Sequence, residues 1–226
     1  MNATPIEMID RWQKRAEPAP GEGLIYWHML LGDHPHVVAM ARGAQLRLAP
    51  FTGLHMTPLK WLHITLLIAG SADEISGPEL QQMAASASRR LAATPPITVT
   101  LGKVLYHPEA IMLAARPTDT LIPVLNAARS ATHEVTGQYG QPGNRSPWTP
   151  HITVCYSTAR QPAEPIISAL GRDLPGCVAQ ISTASLVIQR GPERLWDWSS
   201  VATIRFGVAH ATPRGDQTRA NQADGC

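Results

Sequence analysis

Two short stretches carry side chains that could do chemistry together. In Trp61-Leu62-His63-Ile64-Thr65-Leu66-Leu67-Ile68-Ala69-Gly70 an imidazole and a hydroxyl stand two residues apart, in a β-branched and apolar run closed by glycine. That composition reads as a strand. Side chains alternate faces along a strand, so His63 and Thr65 share one face and Ile64 takes the other. The pattern returns in Thr149-Pro150-His151-Ile152-Thr153-Val154-Cys155-Tyr156, where His151 and Thr153 share a face. Imidazole beside hydroxyl on a fixed strand is a phosphate-handling pair. Two such strands, 88 residues apart, could line one cleft from both sides.

The intervening chain must bring these strands together. Residues 1–23 read as an adapter, with a short helix over Pro5 to Arg15 followed by a Pro- and Gly-rich linker. Leu24 to Leu31 is a strand candidate, and His34 to Leu48 has apolar residues at helical spacing. After the His63 strand, a helix is expected over Pro78 to Leu91. A strand over Ile97 to Leu105 pairs with Ala110 to Ala115, and a third helix covers Thr118 to Val135. The Gly- and Pro-rich loop Gly137 to Pro150 then runs into the His151 strand, and it could act as a lid. A fourth helix over Gln161 to Leu170 precedes final strands at Val178 to Gln189 and Trp196 to Val208. Residues 209–226 are polar and small, a tail expected to be disordered. Hairpins interleaved with helices argue for α+β with antiparallel sheet rather than a doubly wound parallel fold. No G-x-G-x-x-G, Walker A or G-x-S-x-G sequence follows a strand.

Bulk properties restrict the function classes. The chain has 226 residues, 44% of them apolar, and a formal charge of +2. A charge that small does not announce a long nucleic acid, but it allows a nucleotide-sized substrate held by a few local donors. Cys155, Cys177 and Cys226 form no C-x-x-C and no even framework, which fits a reducing cytoplasm. The first 15 residues lack the apolar core of a signal peptide, and no run approaches the roughly 18 or more apolar residues of a membrane span. No membrane partner and a monomeric state are expected.

The bare His-x-Thr pattern has little specificity, because His55-Met56-Thr57 and His210-Ala211-Thr212 also match it. Only His63 and His151 stand in His-Ile-Thr followed by a hydrophobic run. The whole arrangement resembles the two-histidine phosphoesterase superfamily, which includes RNA 2′,5′-ligases and cyclic nucleotide phosphodiesterases. His63-Ile64-Thr65-Leu66 with Ile68 and Gly70 looks like its first motif, and Pro150-His151-Ile152-Thr153-Val154 like its second. Ser185 to Gln189, Gly191, Trp196 and Val201 to Phe206 are similar to its closing hairpin. The resemblance covers residues 24–208 and implies a bilobal α+β domain, two pseudo-symmetric lobes with antiparallel sheets around a central groove. In one respect the chain departs from it: members often carry a basic residue a few positions after each motif threonine, and here those places hold Leu67 and Tyr156.

Phosphodiester cleavage needs two proton transfers, one from the attacking oxygen and one to the leaving oxygen. Imidazoles with pKa near 6.5 serve both roles near neutral pH. The resemblance therefore implies a metal-independent, cofactor-free phosphodiesterase for 2′,3′-cyclic phosphates or 2′-5′-linked nucleotides or RNA ends. His63 and His151 would be the acid/base pair, in an order the sequence leaves open, and Thr65 and Thr153 the phosphate ligands. Tyr26, His28, Trp148 and Tyr156 are candidates for stacking on a base or binding a ribose, as is Trp61. His151, Thr153 and Cys155 on one strand face would also permit zinc, though without a second ligand pair. The alternatives are a non-catalytic module that binds a nucleotide or phosphate in the same groove, and an interaction protein in which the two His-Ile-Thr strands are coincidental.

Overall fold

The computed structural model describes residues 4–15, 18–19, 22–141 and 148–207. Its strands are β1 (Glu7–Met8), β2 (Gly23–Leu30), β3 (Leu54–Met56), β4 (His63–Ser71), β5 (Ile97–His107), β6 (Ala110–Arg116), β7 (His151–Ser157), β8 (Gln161–Pro162), β9 (Asp173–Ile181), β10 (Thr183–Arg190) and β11 (Trp198–Arg205). The helices are α1 (Pro35–Leu48), α2 (Gly77–Leu91), α3 (Ile122–Thr136) and α4 (Glu164–Leu170). The expected disordered tail, 209–226, lies outside the described residues, as does part of the Gly137 to Pro150 loop.

A nine-stranded antiparallel sheet runs β11-β10-β2-β4-β7-β6-β5-β9, with β3 added on β7. The fold is therefore α+β with antiparallel sheet. Its two halves form one sheet, joined between β4 and β7 by one pairing among the described residues, Ile64↔Ile152. The helices cover the face that carries Ile64 and Ile152, and both side chains are fully buried in the main core. Helices α2 and α3 pack together against β11 and β4, while α1 and α4 pack together with α1 on β7 and β9. On the core face of β2, Trp27 donates its indole N–H to Thr132 Oγ1 on α3 at 3.1 Å.

Local chemistry explains the helix limits. At the start of α2 the Glu79 carboxylate accepts the Ser76 backbone N–H at 2.7 Å, which satisfies a donor the helix leaves free. At the end of α3, Gly137 takes φ 71° and returns its N–H to the His133 carbonyl, a left-handed cap natural to glycine.

Two expectations are corrected. The N-terminal segment holds no helix over Pro5 to Arg15: β1 pairs with β8, Met8 is fully buried, and turns follow. Tertiary pairing wins over local spacing here, because a short isolated helix is marginal in water. The expected strand Val178 to Gln189 is two strands, β9 and β10, which break at Ser182 and pair with β5 and β2 in opposite halves of the sheet. Val178 to Gln189 holds no glycine or proline to mark the break, so local composition shows nothing of such a crossing.

Gly32, just past β2, meets the turn that precedes β4. A Cβ there would stand 2.1 Å from the Lys60 carbonyl oxygen and 2.5 Å from its carbon, both backbone atoms. We expect Gly32→Ala to lower the denaturant midpoint at unchanged m-value, by an amount worth about 1–3 kcal/mol. An unshifted midpoint would show that the turn yields freely.

Candidate active site

The pairing Ile64↔Ile152 decides the site's geometry. With those residues opposed and pointing into the core, antiparallel register sets His63 against Thr153 and Thr65 against His151 on the open face. The four side chains occupy the corners of a square, histidines on one diagonal and threonines on the other. Diagonal neighbours of this kind have Cα atoms about 7–8 Å apart, a spacing into which one phosphate fits. All four line a single cavity of about 560 Å³.

Both strands bulge one residue beyond the motif threonine. Between β2 and β4 the register passes from His28↔Thr65 to Trp27↔Leu67, leaving Leu66 extra. Between β6 and β7 it passes from Met112↔Thr153 to Ile111↔Cys155, leaving Val154 extra. A bulge reverses the alternation that follows it. Leu67 and Cys155 therefore turn into the core, fully buried, and Ile68 and Tyr156 turn into the cavity. This corrects the expectation that Cys155 shares a face with His151 and Thr153. Among the described residues no group of three or more His, Cys, Asp or Glu side chains is placed to hold a metal.

The imidazoles are held alike. His63 Nδ1 lies 2.7 Å from the Trp61 carbonyl, and His151 Nδ1 lies 2.7 Å from the Thr149 carbonyl. A carbonyl only accepts, so each Nδ1 carries a proton and each neutral ring keeps its lone pair on Nε2. Burial takes His63 down to about 4, and the nearby charge of His151 adds to that. His151, which is partly exposed, is also lowered, again by burial first, with His107 and Arg11 adding to it. In the free protein near neutral pH both rings are neutral.

The structure brings Tyr26, His28 and Tyr156 into the same cavity. His28 is 1% exposed and lies between Tyr26 (ring centroids 5.0 Å) and Trp198 (4.8 Å), with the His63 ring 4.3 Å away. Burial and the charge of His63 put its pKa well below the ordinary value. Among the described residues neither of its nitrogens has a partner at hydrogen-bond geometry; nor do the buried indole nitrogens of Trp12 and Trp198. Such groups are costly to leave unpaired, and these lie sealed just behind the cavity wall. Trp148 is placed elsewhere. It packs against the core and donates its N–H to the Thr65 carbonyl at 3.1 Å, so it supports the strand and does not line the cavity. Trp61 also stands outside that lining, against Trp198.

Several cavity residues escaped sequence reasoning. Arg11 and Trp12 lie over the groove because the N-terminal segment is strapped across it. Arg11 grips Glu193 with two 2.8 Å hydrogen bonds, reaches Glu109 at 3.4 Å, and sits 4.4 Å above the Tyr156 ring. Arg15 also pairs with Glu109. No local pattern marks an arginine whose partners are 98 and 182 residues away. Trp196 and Trp198 add to the aromatic wall, and alternation does not explain both: Trp198 begins β11, while Trp196 closes the preceding turn at φ 55° in the left-handed region.

Titration will test the histidine environment. His63 should titrate near pH 4 in a ring-resolved NMR experiment, with the proton on Nδ1 in its neutral form; a midpoint at the ordinary 6.5 would contradict this burial. The unfolded chain takes up these protons near 6.5 and the folded chain only lower. Between those values the unfolded state binds more protons, so stability should fall as pH drops from about 6.5 toward 4.

Three comparisons with known proteins bear on the chain. A family model described as the 2′-5′ RNA ligase superfamily matches residues 35–193. Among solved structures, TT0787 of Thermus thermophilus superposes with a TM-score of 0.62 and 22% identity, over 83% of this chain and 100% of its own. E. coli LigT complexed with 3′-AMP superposes with a TM-score of 0.61 and 17% identity, over 84% and 99%. A crystal structure described as a phosphoesterase gives 0.57 and 17%, over 83% and 99%. At these identities the structures establish a common fold. None of the curated proteins matches. Among the described residues no helix is long and apolar enough to cross a membrane.

Proposed function

The chain belongs to the 2′-5′ RNA ligase superfamily, and from that premise we propose that the groove is a metal-independent phosphodiesterase site for 2′,3′-cyclic phosphates or 2′-5′-linked nucleotides and RNA ends. One observation carries the reading. Two imidazoles on one diagonal of the Ile64↔Ile152 square each have Nδ1 fixed by a backbone carbonyl and, among the described residues, Nε2 without a hydrogen-bond partner. The nucleotide part of the proposal draws on LigT, which has been crystallised with 3′-AMP, ATP and NADP+.

With a 2′,3′-cyclic phosphate, two proton transfers accompany displacement at phosphorus. The base Nε2 takes a proton from water as its oxygen bonds to phosphorus. The second imidazolium gives its Nε2 proton to the 2′ or 3′ oxygen as that P–O bond breaks, leaving a phosphomonoester. The Thr65 and Thr153 hydroxyls donate to the non-bridging oxygens, where negative charge is concentrated in the transition state. We assign the base to His63, whose deeper burial disfavours its charged form, and the acid to His151, whose partial exposure lets it take up a proton from solvent when the arriving phosphate anion raises its pKa. Tyr26, His28 and Tyr156 contact the rest of the nucleotide.

The test is turnover of 2′,3′-cyclic nucleotides and 2′-5′-linked dinucleotides in the presence of a chelator. His63→Ala and His151→Ala should each lower kcat by about 10²–10⁴ while the circular dichroism spectrum is unchanged. Thr65→Ala and Thr153→Ala should cost less. Full turnover in either histidine variant would remove the mechanism. Saturable nucleotide binding with no turnover in the wild type would make the groove a binding module.

A further inference from the structure

Beyond His151 the groove continues into a second cavity, of about 480 Å³. His107, Met112 and His151 line both cavities, so the two are contiguous at the histidine assigned above as the acid. Their chemistry differs sharply. The permanent cations of the first cavity, Arg11 and Arg15, are tied to Glu109 and Glu193, and the wall around them is aromatic. The second is lined by Lys103, Arg116 and Arg172 and, among the described residues, by no carboxylate.

Those three charges come from separate elements. Lys103 is on β5, Arg116 ends β6, and Arg172 immediately precedes β9. Asp173 offsets part of the charge, its carboxylate 3.2 Å from Lys103 Nζ, but both side chains are about half exposed or more (49% and 68%), where such a pair binds weakly. Arg172 donates to the neutral Thr4 hydroxyl at 3.2 Å, which leaves its charge intact. The sheet order sets the distance. From β7, which carries His151, to β5 is two strands, roughly 10 Å at the usual strand spacing. A ligand lying across the strands would pass from the aromatic wall, between the histidines, into this basic annex.

Resting on the proposed function of the groove, we propose that the annex is a second phosphate subsite, and that the substrate is an oligonucleotide end with a further phosphate about one nucleotide from the reacting one. A lone cyclic mononucleotide would leave Lys103, Arg116 and Arg172 unused. The annex also answers the missing basic residues after the motif threonines: the positive charge is present, supplied by β5, β6 and the turn before β9.

Calorimetric binding on the full chain tests the subsite without requiring turnover. The probes are adenosine 3′-phosphate, adenylyl-(3′→5′)-adenosine 3′-phosphate, and that dinucleotide with a neutral methylphosphonate link. The last two offer the same bases, and in the second a methyl replaces one non-bridging oxygen of the link and removes its charge. Wild type should prefer the charged link by about tenfold or more, the value of one or two charge-assisted contacts. The preference should weaken as salt rises. The Arg116→Ala, Arg172→Ala double variant should lose it while binding adenosine 3′-phosphate as wild type does, which also shows that the variant is folded. Equal affinity for charged and neutral links in the wild type would overturn the subsite. So would a variant that keeps the preference. A preference for the charged link with no turnover of any substrate would leave the annex standing and remove the catalytic reading alone; failure to bind any probe would overturn both.

Discussion

One backbone pairing governs the arrangement. Ile64 opposite Ile152 is where β4 meets β7, and among the described residues it is the only strand pairing between the two halves of the large sheet. Because both isoleucines are sealed in the core, the flanking residues have no choice of face. A slip of one residue would bring the histidines into the apolar layer and expose the isoleucines, reversing every side chain on that strand. Burial of two ordinary aliphatic side chains thus holds the square of histidines and threonines in register, and this strong constraint lies outside the polar groups themselves.

The two bulges extend that logic. One extra residue after each threonine keeps Leu66, Leu67, Val154 and Cys155 in the core while the strand beyond returns a side chain, Ile68 or Tyr156, to the cavity. The motifs are equivalent down to this irregularity, and so are the carbonyl bonds that fix each imidazole tautomer. The groove is consequently symmetric in its chemistry near the centre and asymmetric outside it. Tryptophans, Tyr26 and His28 form one wall, while Lys103, Arg116 and Arg172 supply the other end.

Electrostatics then separates the roles. Neutral imidazoles in a buried site need a nearby cation or an incoming anion to set their charge, and the arginines closest to the groove are tied to glutamates. That ion cluster pins the N-terminal segment across the opening, with Arg11 on Tyr156 and β1 on β8 as further anchors. A segment with the composition of an adapter thereby becomes a wall of the cavity. Of the two cavities, the annex is the one whose cations lack a lining carboxylate among the described residues, so an anionic ligand is attracted along the groove toward it and not to the aromatic wall.

The sequence by itself determined the parts that depend on short-range regularity. Alternation placed His63 with Thr65 and His151 with Thr153, and helical spacing located α1, α2 and α3 to within a few residues. Those readings follow from backbone periodicities that need no partner. Only the tertiary structure decided the rest. Bulges appear when a partner strand is one residue short, so Cys155 and Tyr156 could not be assigned to faces from alternation. Trp148 left the groove because its indole found a backbone acceptor on β4. Arg11, Arg116 and Arg172 entered because ion pairs and cavity walls join residues distant in the chain, and an arginine far from its partners carries no local mark of them.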